Sequence, residues 1–378
     1  MNECLLTNAR IVLADEIIHG TLRLADGRIA EVAPGRTAVP GAEDCDGDYL
    51  LPGLVELHTD NLEKHLGPRP GVVWPVHSAL AIHDAQVASA GITTVFDALC
   101  IGEDAGSTRA QTLGPSIDAL RHAVAHGHTR VEHWLHLRCE VSSGDVLELL
   151  QRYLDEPLLK LLSVMDHTPG QRQWMDLEKY RIYTQKHEHW SDARLAEDVA
   201  MRQRKQHEHA QRNRHAVVRL ARERGVALAS HDDTTLEHVA EGAADGVTVS
   251  EFPTTLLAAQ AARVAAQAIV MGAPNVVRGG SHSGNVSAAS LARAGLLDVL
   301  SSDYVPASLL HAAFMLVDEA GWTLPQAMAT VTRNPARLVG MDDRGEIAPE
   351  LRGDVIRVRS TPQTPLVRAV WCGGRRVG

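Results

Sequence analysis

The chain has 378 residues, 44% hydrophobic and 22% charged, which is ordinary for a globular protein and excludes a disordered, collagen-like or disulfide-scaffold chain. Its formal net charge of −10 argues against a general nucleic-acid or acidic-membrane binder, so an anionic ligand must be met by a local cluster of basic groups. Aromatic residues make up only 4%, which excludes a base-stacking platform, whereas 20 histidines raise the question of a metal.

The length suits two or three domains, or one large barrel with a small appendage. Residues 1–50 read as β-rich. Ala9–Leu13 and the run from Thr21 precede Asp26-Gly27 and then Arg28–Val32, a hairpin signal. Asp354–Val358 and Leu366–Trp371 read as strands at the far end. The expectation is that 1–50 and 341–378 pair into one small β-sandwich domain.

Between 51 and 340 the pattern changes to short apolar runs separated by alanine- and leucine-rich helical stretches. The runs are Tyr49–Leu57, Thr93–Ala98, Arg130–Cys139, Leu158–Met165, Val226–Ser230, Gly246–Ser250, Asn275–Gly279 and Asp298–Ser302. Strands alternating with helices in this number predict the α/β class and a (β/α)8 barrel. No GxGxxG or P-loop supports an open doubly wound sheet instead. A charged helical insertion is expected at about 169–225. Its His187, His189, His207, His209 and His215 sit in a strongly polar run and read as a solvated face or a lid, not as ligands.

In such a barrel the residues just past the strand ends share one mouth. The predicted strands, all but the second, deliver a histidine or acid there: His58 and Asp60, Glu140, Asp166-His167, His231-Asp232-Asp233, Glu251, His282 and Asp303. His58 and Asp60 are two apart on a strand and face the same way. With His231 and Asp303 they suit a divalent ion, Zn²⁺ first and Mn²⁺ or Fe²⁺ next. Such an ion lowers the pKa of bound water towards ~7, and Asp303 is placed to take its proton.

Specific motifs then point to a family. Leu51–Asp60 and the C-terminal pieces Arg344–Ala348, Gly353–Val355 and Val370–Arg376 resemble the amidohydrolase superfamily. Within it, His58–His65, His136–Glu140, Met165–Arg172, Ala229–Asp233, Glu251–Thr255, Met271–Asn285 and Ser301–Tyr304 resemble the phosphonate-metabolism protein M family, across essentially the whole chain. The resemblance implies hydrolysis of α-D-ribose 1-methylphosphonate 5-triphosphate to the 5-phosphate and pyrophosphate, in the carbon–phosphorus lyase route of phosphonate catabolism. Three departures from the wider superfamily stand out. Asp60 replaces a second histidine, Glu251 replaces a histidine, and strand four offers Asp166-His167 without an obvious bridging lysine, Lys160 being the one option.

With that substrate, one or two ions are expected on His58, Asp60, His231 and Asp303, with Glu140 and His167 as further ligands. Asp303 is the base, and His282 protonates or orients a phosphate or supports a ligand from behind. Lys64, Arg69, Arg138, Arg172 and Arg278 are candidate phosphate clamps. Each arginine has an ion pair with a neighbouring acid as its alternative. Glu251, Ser281 and Asn285 complete the expected substrate contacts, the last two in the glycine-rich stretch after Arg278.

Two other functions remain open at this point. Amide or cyclic-amide hydrolysis needs fewer basic groups and an apolar slot, and an assay of pyrophosphate release against hydantoin opening separates it. A non-catalytic, metal-stabilised subunit of a phosphonate-processing assembly would never turn over after remetallation. Cys4, Cys45, Cys100, Cys139 and Cys372 are far apart and form no CxxC pair, as expected of reduced thiols. The first residues lack a signal-peptide core, and no apolar run reaches the roughly eighteen residues of a membrane span. A cytoplasmic protein is expected, with no nucleic-acid or membrane partner and with homo-oligomerisation left open.

Overall fold

The computed structural model describes residues 3–102, 107–188, 190–281 and 284–378, without the side chains of 186–188. The first strands are β1 (Cys4–Val12), β2 (Ile17–Ala25), β3 (Arg28–Pro34), β4 (Glu43–Asp44) and β5 (Tyr49–Pro52). Asp26 and Gly27 both take positive φ, 50° and 80°, which gives the β2–β3 turn the twist a tight hairpin needs.

Eight parallel strands follow. They are β6 (Leu54–Thr59), β7 (Ile92–Ile101), β8 (Glu132–Glu140), β9 (Leu159–Met165), β10 (Ala227–His231), β11 (Val249–Glu251), β12 (Ala268–Gly272) and β13 (Val299–Ser301). The chain ends in β14 (Val355–Ser360), β15 (Pro365–Cys372) and β16 (Arg375–Arg376). These return to the first sheet, where β14 pairs antiparallel with β5 and β5 runs parallel to β1. The two ends of the chain therefore build one sheet, closed over Leu6, Ile11, Leu22, Leu24, Val355 and Trp371.

The barrel strands lie in sequence order, each beside the next. Their inward side chains, including Val55, Leu57, Phe96, Leu161, Ala229, Val249, Val270 and Val299, fill the interior. The seam between β6 and β13 is closed at the site itself. Asp303 N–H donates to the His58 carbonyl at 3.0 Å, and Asp60 N–H donates to the Asp303 carbonyl at 2.9 Å. Below them the buried Glu56 carboxylate accepts the N–H groups of both His58 and Ser302, tying the two strands together. The architecture is a (β/α)8 barrel with a separate terminal sheet.

Two expected strands are placed differently. Tyr49–Leu57 is not one strand: it breaks at Gly53, with β5 in the terminal sheet and β6 opening the barrel. A Cβ on Gly53 would fall 2.9 Å from the Thr93 Cβ, so only glycine lets the chain pass there. Asn275–Gly279 is not the seventh strand. Pro274 sits at the start of a short helix there, while Ala268–Gly272, an apolar run ending in glycine, takes the barrel position. Ser281 and Asn285 thus follow a helix and not a strand.

The first helices are α1 (Asn61–Leu66), α2 (Val76–Ser89), α3 (Thr108–Ala125), α4 (Val146–Tyr153), α5 (Leu177–Glu188) and α6 (Asp192–Arg224). The last two form the long connection between β9 and β10. Helix α6 has 33 residues, about 50 Å at 1.5 Å per residue. Its C-terminal half buries Ala210, Val217, Val218, Leu220 and Ala221 against the barrel and stops at Gly225, whose φ of 64° suits a left-handed cap. Buried Asn213 donates to the Val141 and Ser143 carbonyls and pins this half to the end of β8. The N-terminal half reaches past the mouth and packs Leu195 and Val199 on Trp174, Tyr180 and Trp190. His207, His209 and His215 belong to none of the metal-capable groups among the described residues. The His187 side chain and His189 lie outside the described residues. Among the described residues no helix is long and apolar enough to cross a membrane.

Candidate active site

The mouth of the barrel holds a cavity of about 1030 Å³. His58, at the end of β6, is buried and presents its two ring nitrogens to different partners. Nδ1 donates to Glu251 Oε1 at 3.0 Å, and Nε2 faces Asp60 Oδ1 at 3.9 Å. His231, at the end of β10, is arranged in the same way: Nδ1 lies 3.4 Å from Glu251 Oε2 and Nε2 lies 3.5 Å from Asp232 Oδ2. The two imidazoles stack with centroids 5.6 Å apart and planes 15° from parallel. One buried carboxylate, Glu251, therefore fixes both rings in the tautomer that leaves Nε2 as an acceptor. Glu251 does not line the cavity, so its place is behind the imidazoles and not against substrate.

Three metal-capable groups meet here: His58 with Asp60 and Asp303, His167 with His231 and Asp232, and His58 with His231 and Glu251. Fit to a cation is supported by an orphaned atom. Asp232 Oδ2 is buried and accepts no hydrogen bond from the described residues, although His231 Nε2 and His167 Nε2 approach it at 3.5 and 3.9 Å. A buried carboxylate oxygen facing two imidazole nitrogens is a donor set for a divalent ion. Replacing Glu251 by Gln removes one of two acceptors for the Nδ1 protons. Metal affinity, measured by competition with a chromogenic chelator, is expected to fall about 10–100-fold.

Electrostatics divide the centre. Burial alone would raise the Asp60 carboxyl, but Arg138, donating to Oδ1 at 2.8 Å, holds it below the ordinary range. Asp303 has no hydrogen-bonded cation among the described residues: burial, then repulsion from Asp60, pushes it up to about 6. His231 is held below its ordinary value by burial. Burial acts against a charge on His167 as well, but its hydrogen bond to Glu140 at 2.8 Å wins and raises it. His136 is buried beside His58, donates to the Leu57 carbonyl, and is pushed down to about 3 by burial. Asp232, Phe252 and Asp303, each just past a strand end, take φ of 57°, 55° and 52°. Backbone strain repeated at three rim positions aims these side chains into the mouth and is typical of functional sites.

The residues expected from the sequence sort clearly. His58, Asp60, Arg138, Glu140, His167, His231, Arg278, Ser281, Asn285 and Asp303 all line the cavity. Lys64 does not line it; its Nζ lies over the ring of Tyr304, which does, and donates to the Tyr304 carbonyl. Arg69 is exposed, and Arg172 is buried between Asp233 and Glu241; neither lines the cavity. Carboxylates on two neighbouring elements claim the Arg172 guanidinium, so it is an ion pair of the rim. Lys160 does not enter either, because its Nζ lies over Trp134 at 4.9 Å. His282 lies outside the described residues.

Several lining residues were not singled out from the sequence. Asp232 is expected at the mouth with His231, but without a role of its own there. Arg109, at the start of α3, binds Glu63 at 2.6 Å, and nothing local marks it. Lys179, Tyr180, Tyr183, Arg202 and Lys205 come from the insertion, and only the folded path of α5 and α6 brings them here. A separate buried group, His83, Asp97, His133 and Asp84, joins α2 to β7 and β8. Asp97 accepts from His83 Nε2 at 2.6 Å and from His133 Nδ1 at 2.8 Å, and His133 Nε2 reaches Asp84 at 3.3 Å. Asn61, next to Asp60, donates to the remaining nitrogen of His83 at 2.9 Å. With every ring nitrogen hydrogen-bonded, this cluster is a polar network, not a second centre.

Comparison with known proteins agrees with this geometry. The model of the Amidohydrolase family matches residues 85–377. The chain is 45% identical to the alpha-D-ribose 1-methylphosphonate 5-triphosphate diphosphatase of Escherichia coli (strain K12), over 99% of this chain and 100% of that one. Among solved structures, N-acetyl-D-glucosamine-6-phosphate deacetylase from Mycobacterium smegmatis is similar in fold (TM-score 0.65, 16% identity, 99% of this chain and 100% of that one). So is N-isopropylammelide isopropylaminohydrolase from Burkholderia multivorans ATCC 17616 (TM-score 0.62, 20% identity, 100% and 98%). With a closed parallel barrel, imidazoles and carboxylates gathered at its mouth, and a family match over most of its length, the chain belongs to the amidohydrolase family.

Proposed function

We propose that the protein is a metal-dependent hydrolase that cleaves α-D-ribose 1-methylphosphonate 5-triphosphate into the 5-phosphate and pyrophosphate, within the carbon–phosphorus lyase route of phosphonate catabolism. The observation that carries this is the 45% identity, end to end, to the Escherichia coli diphosphatase of that substrate. The cavity supports it. Arg109, Arg138, Lys179, Arg202, Lys205 and Arg278 all line it, a basic density that an uncharged amide does not need and a triphosphate does.

His58, Asp60, His231 and Asp303, with His167 and Asp232 beside them and Glu140 behind His167, would hold one or two divalent ions, Zn²⁺ in preference to Mn²⁺ or Fe²⁺. A cation bound there supplies Lewis acidity towards a phosphoryl oxygen and makes water a competent nucleophile near neutral pH. The chain's own groups do the rest. Asp303 takes the proton of the attacking water as its oxygen joins the α-phosphorus, and the bond to the bridging oxygen of the β-phosphate breaks. Arg138, fixed by Asp60, places positive charge beside the centre where negative charge develops. Glu251 keeps both imidazoles in register. The terminal segments 1–50 and 341–378 are proposed as a supporting domain and 51–340 as the catalytic one. The widely spaced cysteines, none of them disulfide-bonded, support a reducing, cytoplasmic setting.

Dialysis against a strong chelator is expected to abolish pyrophosphate release from the sugar triphosphate, and added Zn²⁺ to restore it. A metal-replete sample that opens hydantoins or dihydroorotate but frees no pyrophosphate would refute the proposal.

A further inference from the structure

Five of the six cations that line the cavity fall into two sets. Arg138 donates to Asp60, Arg109 to Glu63 and Arg202 to Asp198, so each is held by a carboxylate of the rim or the insertion. Lys179 and Arg278 also line the cavity, yet neither has a carboxylate at ion-pair distance among the described residues. Both are exposed, whereas His58 and His231 are buried. They belong to unrelated elements, Lys179 to α5 of the insertion and Arg278 to the turn before Gly279.

These elements meet. The Lys179 ammonium lies 3.9 Å from where a Cβ on Gly284 would stand, so the tip of this side chain on α5 reaches a glycine six residues after Arg278. Gly279 and Gly284 have φ of 76° and 72°, left-handed conformations that glycine adopts freely, and Gly280 and Ser281 border the same space. The less exposed part of the lining carries Asp60, Glu140, Asp232 and Asp303, which repel a polyanion wherever a metal does not neutralise them. A ligand with several phosphates is therefore drawn with its free end towards the mouth.

From this we infer that Lys179 and Arg278 form a cradle for the β- and γ-phosphates, so that the insertion recognises the pyrophosphate leaving group. The inference deepens the triphosphate reading above and rests on it for the reaction, although pyrophosphate binding is measurable without turnover. The Arg278 fork can meet two phosphate oxygens at once, and Lys179 adds a flexible point charge from α5. An enzyme whose mouth holds the leaving group favours triphosphates over monophosphates and is inhibited by its own pyrophosphate.

The test is calorimetry of inorganic pyrophosphate binding to the metal-loaded full chain. Lys179→Met and Arg278→Met are each expected to weaken binding by about 10-fold or more, the usual scale for a lost charge-assisted contact. Lys179→Arg is expected to restore most of it. Arg194→Met, which removes a charge from the same insertion where Arg194 lies over Trp190, is expected to have no effect. Unchanged affinity in both Met variants, or equal weakening in Arg194→Met, would overturn the cradle. Release of pyrophosphate from the triphosphate by the unaltered protein is scored separately, so failure of the cradle and failure of the substrate assignment give different results.

Discussion

Asp303→Asn is expected to lower kcat for pyrophosphate release by about 10²–10⁴-fold, the usual contribution of a positioned general base. The fold should survive, because what Asp303 gives to the barrel seam is backbone: its N–H donates to the His58 carbonyl, and its carbonyl accepts from Asp60. An amide side chain leaves those bonds intact and has nearly the same volume. It cannot take a proton. The position is suited to a base because burial and the neighbouring Asp60 make this carboxyl more basic than an ordinary aspartate. The measurements are a single-turnover assay, the melting temperature and the metal content of the variant. Turnover within about threefold of the unaltered protein would remove Asp303 from the base role, and loss of metal would make it a ligand first.

The second large effect lies outside the cavity. Asp97 is wholly buried between two imidazoles, and removing it leaves His133 facing only Asp84. Breaking a buried, hydrogen-bonded charge pair typically costs about 3–5 kcal/mol, so Asp97→Ala should melt far below the unaltered protein. The pH dependence has a definite sign. Burial works against a charge on His133, but Asp97 outweighs it and raises the imidazole to about 9. The free energy from this pair is therefore fully present below about pH 6.5, the ordinary value for histidine, and drains away as the pH rises through about 9. The gap in melting temperature between the two proteins should be widest near pH 6 and narrow by pH 10. A gap that stays constant across that range would show that the pair carries no net charge coupling. Activity of a conservative Asp97→Asn variant at low temperature gives a second reading, since Asn61, held through His83, adjoins Asp60.

Much of this protein could be seen in the order of its residues, for identifiable reasons. The β2–β3 hairpin was legible because Asp26-Gly27 is one of the few dipeptides that tolerate two positive φ values in succession. The barrel was legible because buried parallel strands need continuous apolar runs, which stand out against alanine-rich amphipathic helices. The seventh strand was misplaced since Val276 and Val277 have β propensity, and only Pro274 in the first turn of a helix, with Ala268–Met271 already filling the barrel, decides against it. Gly53 hides a similar decision. Its break between two sheets depends on the Thr93 side chain, which is remote in sequence.

Local chemistry and strand ends, then, determined which types of residue would reach the mouth: His58 and Asp60 by their alternation on one strand, and His231 and Asp303 by their positions after apolar runs. Only tertiary structure decided their partners. It set Glu251 behind two histidines from different strands, gave Arg172 to Asp233 and Glu241 instead of the cavity, and brought Lys179 across from a helix more than a hundred residues from His58. The physical reason is that backbone geometry repeats along the chain and leaves a periodic trace in sequence. A charged side chain, in contrast, pairs with whichever opposite charge the folded path brings within reach, and that distance is fixed only when the barrel closes.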